Sequence, residues 1–81
     1  MPLVFTFGNL KFFFYSNEGD PREPIHIHVS GPNGEAKVWI QPAIGIADSK
    51  GFNPRELAVI IREVIKNQSA IERAWDEHFR N

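Results

Sequence analysis

An 81-residue chain has room for one domain, and a net charge of −1, from 9 basic and 10 acidic residues, argues against a general nucleic-acid binder while leaving a local basic patch open. Hydrophobic residues at 42% and charged residues at 23% describe an ordinary globular protein, in which seven Phe, two Trp and one Tyr supply large apolar area to a small core. The absence of cysteine excludes disulfides and thiolate metal sites and fits a reducing cytoplasm, and no apolar stretch is long enough to span a bilayer.

The chain opens Met1-Pro2-Leu3-Val4-Phe5-Thr6-Phe7-Gly8 without a basic n-region, and Gly8 and Lys11 interrupt the apolar run. This reads as a strand rather than a secretory signal, so a cytoplasmic protein is expected. Leu3 to Phe7 is rich in β-formers, Gly8-Asn9 supplies turn residues, and Leu10 to Ser16 follows as a second strand. Both parities of that strand are apolar, with Leu10, Phe12 and Phe14 on one side and Phe13 and Tyr15 on the other, as in a strand covered on both faces. Asn17 to Pro24 is loop by composition, since its two prolines and its glycine break regular structure and its acids keep it wet.

Ile25-His26-Ile27-His28-Val29 then alternates strictly between apolar and polar side chains, the signature of a half-buried strand. Gly31-Pro32-Asn33-Gly34 closes a second hairpin onto a fourth strand, Glu35 to Gln41, where Ala36, Val38 and Ile40 alternate with Lys37, Trp39 and Gln41. Pro42 to Gly51 has no periodicity and reads as a connector. Helix signals follow: Asn53 as N-cap, Pro54 at the first helical position, and Glu56 to complete a capping box. Leu57, Ile60, Ile61, Val64, Ile65, Ile71, Trp75 and Phe79 recur at helical steps. Their phase runs through Asn67-Gln68-Ser69, which favours one helix over two, with a break near Asn67 as the main rival.

The expected fold is therefore α+β, a single domain over residues 1–81. A four-stranded antiparallel β-meander of two hairpins (strands at about 3–7, 10–16, 25–30 and 35–41) carries one long C-terminal helix (about 54–79) on one face. Leu3, Phe5, Phe7, Phe12, Phe14, Ile25, Ile27, Val29, Val38 and Ile40 should face the helix. The other face should carry Thr6, Lys11, Phe13, Tyr15, His26, His28, Lys37 and Trp39. One helix cannot cover both faces, so the aromatics among those histidines and lysines call for a partner or ligand.

The run Phe12-Phe13-Phe14-Tyr15-Ser16-Asn17-Glu18-Gly19, followed by Glu23-Pro24-Ile25-His26-Ile27-His28-Val29, closely resembles a small prokaryotic family catalogued as domain of unknown function 4160. Gly34-Glu35-Ala36-Lys37, Gly51-Phe52-Asn53-Pro54-Arg55-Glu56-Leu57, Ala74-Trp75 and His78-Phe79 fit the same pattern, so the resemblance covers essentially the whole chain. The family usually places two adjacent prolines before its His-x-His, and here Pro24-Ile25 keeps one. The resemblance implies a small cytoplasmic bacterial protein, often encoded beside a second family, domain of unknown function 2442. That arrangement suggests one component of a toxin–antitoxin-like pair with a small antitoxin-like protein partner.

Three readings of the histidines follow. In the first, the chain is a toxin that cleaves RNA without metal. His26 and His28 then act as base and acid, Lys37 or Lys11 holds phosphate, and Tyr15, Phe13 or Trp39 stacks on a base. Glu18 lies in the loop just before the histidine strand and is the remaining binding candidate. In the second, the chain is non-catalytic, and the same face binds a protein partner or a second copy of itself. In the third, His26 and His28 hold a divalent ion with a third ligand from His78, Glu18, Asp20, Glu23 or Glu35. The aromatic and basic neighbours make no resident cofactor the expectation.

Overall fold

The computed structural model describes residues 3–15 and 23–79. Five strands, β1 (Leu3–Phe7), β2 (Leu10–Phe13), β3 (His26–Gly31), β4 (Gly34–Trp39) and β5 (Gly45–Lys50), precede two helices, α1 (Pro54–Lys66) and α2 (Gln68–Phe79). The strands form one antiparallel meander in the order β1-β2-β3-β4-β5, so each pairs with its neighbours in sequence. The α+β class is as expected, but the sheet has five strands rather than four, and the helix is two helices rather than one.

The fifth strand lies in the segment read as a connector. Its residues beyond Gly45 are exposed, so no buried parity marks it. A register shift opposite Lys37 and Val38 puts Asp48 across from Lys37 but Ile46 across from Val38, which breaks any alternation. Pairing with β4, not burial, makes it a strand. The second strand is also shorter than expected, ending at Phe13, and Ser16 lies outside the described residues.

The helix breaks at Asn67, whose φ of −109° and ψ of 16° leave the helical region. Its side-chain Nδ2 donates to the Glu63 carbonyl at 2.8 Å, the local competition with backbone bonding that makes Asn a poor helix interior. The ladder resumes at once, with the Ile71 N–H donating to the Asn67 carbonyl at 2.9 Å. The amphipathic phase therefore survives the break.

Phe12, Ile27, Val29, Val38 and Ile40 from the sheet pack with Phe14, Phe52, Ile60, Val64, Ile71 and Trp75 into one core. Phe5 stacks on Phe12 with centroids 4.2 Å apart. Leu3 and Phe7, expected in that core, are 57% and 40% exposed. β1 is the terminal strand, and a bulge between Leu3 and Phe5 turns Leu3 to the row of Phe13.

The start of α1 follows the sequence closely. The Glu56 N–H donates to Asn53 Oδ1 at 2.8 Å and the Asn53 N–H donates to Glu56 Oε1 at 2.9 Å, a reciprocal capping box. The backbone bond from Asn53, then the side-chain bond from Asn33 at 2.6 Å, hold the Glu56 carboxyl below its ordinary value. A depressed carboxyl pKa contributes stability above the unfolded value and loses it as pH falls through the folded one. Asn53→Ala should thus cost about 1 kcal/mol in urea unfolding at neutral pH. The Glu56→Gln variant should differ from wild type less at pH 3 than at pH 7, and an unchanged gap would contradict the assignment.

Candidate functional site

The register of the sheet builds the site. Phe13, His28, Lys37 and Asp48 stand opposite one another across β2 to β5, and Lys11, Ser30, Glu35 and Lys50 form the neighbouring row. Between them lies an open groove of about 320 Å³, lined chiefly by Phe13, Tyr15, His28, Lys37, Asp48 and Lys50. Tyr15, 46% exposed, sets its ring edge against His28 at 4.5 Å and against Phe13 at 5.2 Å. Phe13 stacks on His28 at 5.8 Å and is only 7% exposed, so it forms the floor of the groove rather than an open stacking platform.

The two histidines do not share an accessible surface. His28 is half-buried and lines the groove, whereas His26 is 0% exposed. Its ring lies 5.6 Å from Trp39, 5.2 Å from Trp75 of α2 and 5.2 Å from His28, centroid to centroid. Because the Pro24 carbonyl can only accept, the 2.9 Å contact to it makes His26 Nδ1 a donor. The expectation of two open imidazoles is corrected here. Strand parity puts them in line, but Trp75 and Trp39 close over one end of the strand.

Lys37 is half-buried and occupied. Its Nζ donates to Glu23 Oε1 at 3.1 Å and sits 4.6 Å from the centroid of the Trp39 ring. The Glu23 carboxylate also lies 4.0 Å from His26 Nδ1. Within the groove Lys37 and Lys50 are met by Asp48 and Glu35, so the lining offers no excess of positive charge to a phosphate.

Of the residues singled out in the sequence, Phe13, Tyr15, His28 and Lys37 therefore meet at one groove. Trp39 lies beside it, under Lys37. Lys11 is exposed between Thr6 and Ser30 and does not line the groove, and Glu18 lies outside the described residues. Sequence reasoning missed Asp48 and Lys50, because they sit on the strand that carries no pattern. Among the described residues no group of three His, Asp or Glu side chains is gathered to hold a metal ion, and His78 packs against Phe14 and Phe79. Glu18 and Asp20, two of the candidate third ligands, lie outside the described residues.

Residues 9–76 match the family model described as Domain of unknown function (DUF4160). The chain belongs to this family. The matched span takes in β2 to β5, α1 and most of α2, hence the whole groove, while β1 precedes it. No curated protein and no solved structure matches the chain. Among the described residues, no helix is long and apolar enough to cross a membrane.

Proposed function

We propose that this DUF4160 chain is a non-catalytic interaction module, one component of a two-protein assembly akin to a toxin–antitoxin pair. Its partner, the small protein encoded beside it, docks in the groove on β2 to β5. The observation that supports this best is the state of Lys37. A lysine waiting for phosphate should be uncompensated, and this one is bound by Glu23 and lies over Trp39. A groove with a half-exposed tyrosine, a histidine and balanced charges suits a protein surface, where an aromatic anchor supplies affinity and charge pairs set register.

Co-expression with the neighbouring gene product, followed by affinity capture and titration, tests the proposal. Tyr15→Asp should weaken the complex by at least about tenfold, as loss of an aromatic anchor does, while the melting temperature stays near wild type. Complexes of equal strength with Tyr15→Asp and with Lys50→Glu would reject the groove as the docking site.

A second reading, acid–base cleavage of RNA, keeps one observation on its side: the His26 and His28 rings lie 5.2 Å apart beside an exposed tyrosine. It requires that purified protein cut RNA and arrest growth, and that His28→Ala abolish both. Intact RNA with wild-type protein, or undiminished cutting by His28→Ala, eliminates it.

A further inference from the structure

The two edges of the sheet are built differently. β5 carries Asp48 and Lys50 among exposed residues, the charged guard that keeps an edge strand from pairing with another chain. β1, Leu-Val-Phe-Thr-Phe, carries no charge and no proline, and β2 is the strand that pairs with it among the described residues. Among the described residues no strand pairs with the outer edge of β1, and an apolar strand edge of that kind is a template for another strand. Both edges contain a register shift, so charge is what separates them.

We infer that β1 pairs with β1 of a second copy of this chain, antiparallel about a two-fold axis at Thr6, joining two five-stranded sheets into one. The occupant follows from the strand's own self-complementarity. The regular part of β1 is Phe5-Thr6-Phe7, whose ladder to Phe12, Lys11 and Leu10 is unbroken. An axis at Thr6 sets Phe5 opposite Phe7 of the copy, twice, on the helix side of the sheet, and Thr6 opposite Thr6 on the other side. Aromatic pairs and Thr–Thr pairs are the favourable cross-strand combinations, and no like charges meet. The pairing also covers Phe7, which is left 40% exposed in the single chain. The contact is isologous, so it closes at two copies and does not propagate. It is separate from the groove on β2 to β5, and Tyr15→Asp should leave it intact.

The test uses the full chain and one exposed position. Light scattering coupled to size exclusion should give twice the chain mass at about 100 μM for wild type. Thr6→Lys and Thr6→Glu each put two like charges at the axis and should weaken dimerisation about tenfold at low salt. An equimolar mixture of the two variants places Lys against Glu and should recover the doubled mass, which a mere folding defect cannot do. Wild type at the single-chain mass overturns the inference. So do variants that dimerise like wild type, and so does a mixture that stays monomeric.

Discussion

His26→Ala is expected to destabilise the protein by roughly 3–5 kcal/mol, whereas His28→Ala should cost less than about 1 kcal/mol. The first ring is wholly buried between Trp39 and Trp75, and removing it opens a cavity and strips the Pro24 carbonyl of its donor. The second faces the groove and is packed on by Phe13 and Tyr15, which can settle towards the space it leaves. Urea unfolding of both variants measures the difference. Equal midpoints would mean that His26 is no core residue, and the paired acid–base reading would regain its footing. A large gap makes growth or binding assays of His26→Ala uninformative about chemistry, so functional work on the histidines belongs on His28. The Glu23–Lys37 pair just outside His26 is partly exposed, and its removal should matter far less than the ring itself.

The contrast between the two histidines shows what a period-two pattern does and does not carry. Alternation correctly sorted Ile27 and Val29 from His28, and Ala36 and Val38 from Lys37, because β3 and β4 are central strands with one face on the helices. It says nothing about how far along a strand the second face stays open. His26 is buried because a helix more than forty residues later returns Trp75 to that end of the sheet, a tertiary fact with no local signature. The α1 start was legible for the opposite reason: Asn53, Pro54 and Glu56 form a cap from neighbours in sequence, and the bonds appear as read. At Asn67 the apolar stripe, with Ile71 and Trp75 still in phase on the far side, hides the break that this residue makes in the helix. β5 is the costliest miss, since half of the charged groove lining stands on it. An exposed strand held by its neighbour's hydrogen bonds has no hydrophobic pattern to display.

Gly34→Ala is expected to be as damaging as losing His26, at about 3 kcal/mol or more, which for a domain of this size is a fall of roughly 12 °C or more in Tm. A Cβ at Gly34 would run into the carbonyl oxygen of Lys50 and come within 2.9 Å of the Phe52 backbone nitrogen, and neither backbone atom can swing aside. The approach is mutual: a Cβ at Gly51 would collide with the Asn33 carbonyl and lie 2.9 Å from Gly34 Cα, and Gly51 also sits at φ 92°, where side chains are strained. Gly45→Ala is the control, because its Cβ would meet nothing within 4 Å, and it should shift Tm by a few degrees at most. Matching melting curves for Gly34→Ala and Gly45→Ala would refute the argument. Gly34-Glu35-Ala36-Lys37 and Gly51-Phe52-Asn53-Pro54 cross backbone on backbone at this point. They form a structural clasp that seats the end of β5 on the start of β4 directly before the α1 cap. The groove depends on that clasp, since Glu35 pairs with Lys50 and Lys37 with Asp48 only in the register it sets. Gly51→Ala drives its Cβ into the Asn33 carbonyl and should therefore lower Tm about as far as Gly34→Ala, which parallel melting curves of the two variants would check.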